Sequence, residues 1–256
     1  MKFYNAFGIR PTNTFTSAGS DYYVPNIKNK AQEEAALKAF EKSYKKTTDE
    51  INHLVKTFEI FQNKEYKNNI INLVHLYLAL YDAQLEAEKV NDENQAIIHF
   101  LRDFVVYDEE KDTVGVKVKL NDTLFINSGV KIALDTVLTD KTDPNISHAI
   151  DILRSLGIGV AGLYVNKSGK GNAGWDVRAC LVDEDYSGFV HLSQSYTKEL
   201  IKDGQNIVYC GDKLTQMMLI PVFHDEYVDT DEENYNKIMA NSKRGDSGFG
   251  SSDIKH

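Results

Sequence analysis

The chain has 256 residues, of which 42% are apolar, with 14 Tyr and 12 Phe, enough to bury a proper core in one large domain or two small ones. A formal net charge of −9 excludes a non-specific nucleic-acid binder, which needs clustered Lys and Arg against phosphate, but leaves room for a local basic pocket that takes one small anion. Two cysteines, Cys180 and Cys210, exclude a disulfide framework and a CxxC metal site, and are expected as two buried thiols in a reducing cytosol.

In chain order, the opening stretch "MKFYNAFGIR" has no continuous apolar segment, so no secretory leader is expected. Residues 1–27 read as short alternating pieces and turn formers, among them "TSAGSDYYVP". Residues 28–107 contain no Pro and no Gly. There Leu37, Phe40, Tyr44, Thr47, Ile51, Leu54, Phe58 and Phe61 follow at spacings of 3, 4, 3, 4, 3, 4 and 3, which predicts one long amphipathic helix. A second helix is predicted over Tyr66–Val90. It contains the longest apolar run, Ile70–Leu80, 11 residues that are too few to span a bilayer and fit a buried helix. Asn91-Asp92 predicts a break and cap, and Glu93–Val106 a third helix, so an antiparallel three-helix bundle is expected over 28–107.

From Asp112 the apolar period changes from 3.6 to 2. "TVGVKVKL" predicts a strand with Val114, Val116, Val118 and Leu120 on one face. "TLFINSGVKIAL" predicts strand, Ser-Gly turn and strand, and "HAIDILRSL" (His148–Leu156) a short helix. Then "GVAGLYV", "RACLVDED", "GFVHLSQS", "QNIVYC" and "KLTQMMLIPVF" read as strands parted by turns. Many short strands with turns every 8–12 residues indicate an antiparallel jelly roll or β-barrel. The tail "NSKRGDSGFGSSD" reads as a loop.

Four segments carry candidate chemistry. In "LVDEDYSG" (Leu181–Gly188) a carboxylate at a strand end, shielded by apolar neighbours, can act as a general base on water; the plainer reading is a solvated acidic turn. "NKSGKG" (Asn166–Gly171) offers backbone N–H groups and two lysines to a phosphate; the plainer reading is a polar hairpin. In the tail, Arg244 can grip a phosphate and Phe249 can stack on a flat base, against the plainer reading of disorder. "GDKLTQ" (Gly211–Gln216) is a tight turn entering a strand with a polar Gln216. Together they are parts for a nucleotide polyphosphate.

In this order and spacing the segments resemble the five motifs of the trimeric dUTPase family. "AGSDYY" (Ala18–Tyr23) is similar to the first motif, "KSGKG" (Lys167–Gly171) to the second, "LVDEDYSG" to the third, "GDKLTQ" to the fourth and "RGDSGFGSS" (Arg244–Ser252) to the fifth. "INSGVKIAL" (Ile126–Leu134) also resembles a strand pair of that family. The resemblance covers Met1–Ile27 and Asp112–Ser252 and leaves out the helical stretch. It implies a β domain of dUTPase-like jelly-roll fold over residues 1–27 and 108–256, with an arm from about 240, and an inserted helical bundle over 28–107. It implies a homotrimer with shared active sites that hydrolyses dUTP to dUMP and pyrophosphate, in the cytoplasm of a bacterial cell or a phage-infected host, without nucleic-acid or membrane partners.

The same resemblance assigns roles. Asp183 would activate water against the α-phosphate, and Tyr186 would pack under the deoxyribose. Lys167, Ser168 and Gly169 would bind phosphate oxygens. Backbone groups up to Leu181 and Val182 would read the uracil edge, and Gln216 would support the phosphates. Arg244 would clamp the γ-phosphate while Phe249 and Gly250 close over the base. Mg²⁺ would ride on the triphosphate with Asp21 in its outer shell. Gly188 is expected to allow the turn. Lys167 stands where the family has Arg, which keeps the charge and loses the planar fork. Two alternative readings compete with this one. One is a nucleotide-gated module that engages a protein partner through residues 28–107. The other is a dCTP deaminase, disfavoured because "GFVHLSQS" holds no acid to serve as its base.

Overall fold

In a computed structural model of the chain, the structure describes residues 2–13, 17–80, 89–134, 144–199, 204–224 and 228–240. Two compact units emerge, Met1–Phe223 and His224–His256.

The first unit is built mainly on antiparallel sheets. One has the order β1 (Lys2–Asn5), β5 (Thr123–Ala133), β9 (Phe189–Tyr196), β7 (Trp175–Val177). A second has the order β10 (Ile207–Tyr209), β4 (Thr113–Lys117), β3 (Val105–Asp108). The third has the order β2 (Ser20–Tyr23), β11 (Lys213–Phe223), β6 (Ile158–Asn166), β8 (Leu181–Val182). Among the described residues these sheets do not close into one barrel. Val114, Val116 and Val118 are buried as their alternation predicts, whereas Leu120, past the end of β4, is exposed.

Residues 123–133 are one continuous strand rather than two strands and a turn. The Ser-Gly step is a bulge: pairing with β9 shifts between Asn127 and Lys131. Gly129 takes φ +71, and its N–H donates to Asn127 Oδ1 at 2.9 Å. The bulge also lets Gly8 approach, since a Cβ on Gly129 would stand 2.4 Å from the Gly8 nitrogen.

Between β2 and β3 the described residues form four α-helices, α1 (Lys30–Ser43), α2 (Thr48–Ile60), α3 (Ile70–Leu80) and α4 (Glu93–Asp103). The single long helix expected over Leu37–Phe61 is two. Lys45 adopts φ 52, and Thr47 restarts the chain with a capping box, its hydroxyl accepting from Glu50 N while Glu50 Oε2 accepts from Thr47 N. The apolar run 70–80 is α3, buried almost all round. The part of the predicted second helix beyond Leu80 falls largely on residues 81–88, outside the described residues. Asp92 caps α4 as its sequence suggests, but Val105 and Val106 belong to β3, because β-branched residues pair there with Val116 and Gly115.

α3 packs against β4 and β5, and α1 against β5, so helices and sheets contribute to one apolar cluster. At this joint His75 stacks on Phe40 with centroids 4.7 Å apart, and burial with nearby His191 pushes its pKa down to about 3. Asn72, also on α3, ties the chain beyond β2 by accepting from Ile27 N and donating to Ile27 O. α5 (Pro144–Ser155) is longer than the predicted His148–Leu156 and packs on β6. Cys210 is buried and Cys180 exposed, both free; only Cys210 fits the expected buried thiol, since Cys180 immediately precedes the edge strand β8. In the second unit, α7 (Glu232–Met239) starts at Asp231, whose side chain accepts from Asn234 N. Among the described residues no helix is long and apolar enough to cross a membrane.

Candidate functional site

Three neighbouring strands line up the polar residues. β11 lies between β2 and β6, with Gln216 opposite Asp21 on one side and opposite Val165 on the other. Opposed residues share a face, and Lys167, two residues past Val165, falls on that face too. Asp21, Gln216 and Lys167 therefore meet although they come from distant parts of the chain. Lys167 Nζ donates to Asp21 Oδ1 at 2.9 Å and Gln216 Nε2 to the same oxygen at 3.0 Å. The pairing of β11 with β2 shifts between Lys213 and Thr215, and this bulge turns Lys213 Nζ to within 3.1 Å of Asp21 Oδ2.

Asp21 is 9% exposed. Burial alone would raise its pKa, but hydrogen bonds from Lys167, Gln216 and Lys213 outweigh it and hold the carboxyl below its ordinary value. The bond to Asp21 in turn raises the pKa of Lys213, whose ammonium also lies over the Tyr23 ring, 5.6 Å from its centroid. A third ion pair lies nearby in sequence: Lys170 Nζ stands 2.9 Å from Asp212 Oδ2. Ser168 and Gly169 open the five-residue helix α6 (Ser168–Asn172), whose first N–H groups have no acceptor inside the helix. Among the described residues, a Cβ at Gly169 would meet nothing within 4 Å.

The third motif lies elsewhere on the same sheet. β8 pairs with β6 at its edge, Val182 opposite Gly162 and Leu181 opposite Leu163, and Leu181 is 54% exposed. Asp183 follows, exposed, with its carbonyl accepting from Tyr186 N at 3.2 Å. Tyr186 Oη donates to Phe189 O at 2.7 Å. Gly188 serves this ring and not a left-handed turn: a Cβ there would stand 2.4 Å from Tyr186 Oη. Glu184 turns inward, accepting from Arg154 Nη1 at 3.0 Å and from Val160 N at 3.4 Å, and so ties the loop to α5 and β6. The antiparallel register sets Asp183 beside Ala161, six residues before Lys167, which is about 20 Å along β6 at the usual strand rise. Within one chain, then, Asp21, Lys167 and Gln216 come together, and Asp183 stands apart from them. Arg244, Phe249 and Gly250 lie outside the described residues.

Sequence reading missed Lys213 and Glu184. Lys213 was visible as a cation three residues before Gln216, but only the bulge brings it to Asp21. Nothing local marks Glu184, whose partner Arg154 is 30 residues away.

Asp21 does not suit a direct metal ligand. Among the described residues no group of three or more His, Cys, Asp and Glu is placed to hold one. A dication at Asp21 would face the two ammonium groups already paired with that carboxylate.

No family model matches the sequence, and no curated protein matches it. The solved structures that the fold resembles include dUTPases. The Staphylococcus bacteriophage 80alpha dUTPase with dUPNHPP is 14% identical, with a TM-score of 0.37 over 59% of this chain and 91% of its own. The native EIAV dUTPase is 16% identical, with a TM-score of 0.30 over 51% of this chain and 92% of its own. A mutant dUTPase from phage phi11 of S. aureus, described with a structural Mg(II) ion, is 14% identical, with a TM-score of 0.32 over 51% of this chain and 90% of its own. At these identities and TM-scores the function rests on the site itself.

Proposed function

We propose that the chain hydrolyses dUTP to dUMP and pyrophosphate as a homotrimer with active sites shared between subunits. The observation that carries this reading is the convergence of three motif-bearing segments on one buried carboxylate. Lys167 and Gln216 are 146 and 195 residues from Asp21 in sequence, yet both donate to it. They form a cationic, amide-bearing surface beside the backbone of Ser168 and Gly169, which suits a polyphosphate.

The phosphates of dUTP lie against Lys167, Ser168, Gly169 and Gln216. Asp183 comes from a neighbouring subunit, because within one chain it is too distant to reach a substrate held there. Its carboxylate takes a proton from water as the water oxygen bonds to the α-phosphorus. The bridging P–O bond breaks, and pyrophosphate leaves with the electron pair. Tyr186 packs under the deoxyribose, where a 2′-hydroxyl would clash, and backbone groups at Leu181 and Val182 read the uracil edge. Arg244, Phe249 and Gly250 close over the γ-phosphate and base. Residues 28–107 are an insertion between the first motif and the remaining strands.

The test is pyrophosphate release from dUTP in the presence of Mg²⁺, set against dCTP, dTTP and UTP. The wild type is expected to cleave dUTP alone, and Asp183→Asn to lose activity by about a thousandfold or more while still binding nucleotide. Unchanged turnover by that variant would rule Asp183 out as the base.

A further inference from the structure

The resemblance asks for an arginine at 167, and the chain supplies a lysine. The structure brings a second ammonium to the same carboxylate, from Lys213 inside "GDKLTQ", where the sequence reading assigns a role only to Gln216. Lys167 reaches Asp21 Oδ1 from the end of β6, and Lys213 reaches Asp21 Oδ2 from the start of β11. Two ammonium groups this close repel each other unless a negative charge lies between them. Asp21 supplies it, and the Gln216 amide fixes the carboxylate's orientation.

We propose that Lys167 and Lys213, held side by side by Asp21, form a two-point phosphate clamp that takes the place of one guanidinium, with Asp21 as a positioning residue. This deepens the polyphosphate reading above and rests on it. Among the described residues, one carboxylate against two ammonium groups leaves one positive charge uncompensated. Both lysine side chains are partly open to solvent, 32% for Lys167 and 47% for Lys213, so that charge faces a ligand. Neighbouring Lys170 is already balanced by Asp212. Two donors held apart by the two oxygens of a carboxylate offer a pair of hydrogen bonds to two phosphate oxygens, as the two nitrogens of an arginine fork do.

The experiment is calorimetric titration of the full chain with inorganic tripolyphosphate in EDTA, alongside dUTP kinetics. Lys213→Met is expected to weaken tripolyphosphate binding about tenfold, the loss of one charge-assisted contact. Adding Lys167→Arg to Lys213→Met is expected to restore binding to within about threefold of wild type, since one guanidinium supplies both contacts. Asp21→Asn is expected to raise the KM for dUTP more than it lowers kcat, and Asp21→Glu to recover part of that loss. Lys213→Gln serves as a second variant should Lys213→Met not fold, with thermal unfolding as the check.

The clamp is overturned if Lys213→Met and Lys213→Gln bind like wild type, if Lys167→Arg fails to rescue, or if the wild type does not bind tripolyphosphate. A wild type that turns over dUTP with Lys213 dispensable sinks the clamp alone. The lysine pattern in tripolyphosphate binding without any dUTP turnover sinks the hydrolase reading and leaves the clamp standing.

Discussion

Asp21 shows how one buried carboxylate can organise a surface. Burial opposes its charge, and the lysines and the Gln216 amide restore it, so the charged form is favoured in the fold and its pKa lies below the ordinary 3.8. The sign of the linkage follows. The unfolded chain binds a proton at this carboxyl more readily, so the stabilisation is fully present above the ordinary pKa and is lost as pH falls through the folded one. Stability of the wild type should therefore fall more steeply with acid below about pH 4 than that of Asp21→Asn, which carries no titrating group there. Urea midpoints measured from pH 5 downward check this, and parallel slopes for the two proteins would mean that Asp21 is not held charged by its partners. The residue's identity was legible in "AGSDYY"; its partners were not, because contacts across 146 and 195 residues depend on strand order and register.

At the scale of elements, the restart at Thr47 is the clearest case of a signal that was present and outvoted. Thr47 followed by Glu50 is a capping box in plain sequence. The seam Leu37–Phe61 hid it because Phe40 on α1 and Ile51, Leu54 and Phe58 on α2 are all buried in one apolar cluster, so the 3–4 spacing runs unbroken across two helices. Thr47→Ala should destabilise the fold by about 1 kcal/mol, read as a lower urea midpoint with an unchanged slope. An unaltered midpoint would show that tertiary packing alone sets the start of α2. The bulge in β5 misled in a similar way. Ser128-Gly129 has turn chemistry, but Gly129 uses its left-handed φ to kink one strand, and the flanking segments pair with β1 and β9 instead of each other. Strand periodicity was read correctly for β4, β6, β9 and β11 because alternation is local. The division into three sheets was not legible, since strand partners such as β2 and β11 are set by burial of both faces and not by neighbouring residues.

At the scale of the whole molecule, the separation of Asp183 from Lys167 along β6 carries the consequence that matters most. If each site draws Asp183 from one chain and the phosphate-binding cluster from another, two inactive proteins can repair each other. Asp183→Asn lacks the base but keeps Lys167; Lys167→Glu repels phosphate but keeps Asp183. Mixed as unfolded chains in equal amounts and refolded together, they assemble at random. A given site then holds an intact Asp183 in half of the cases and an intact Lys167 in half, so about a quarter of the sites carry both, and about a quarter of wild-type pyrophosphate release should return. Refolded separately and then combined, the two should stay inactive for as long as subunits do not exchange. Sites contained in one chain predict no recovery under either protocol, because every chain lacks one of the two groups. Recovery on co-refolding, and its absence on simple mixing, would thus place Asp183 opposite the cluster of another subunit, whatever the rate of the wild type.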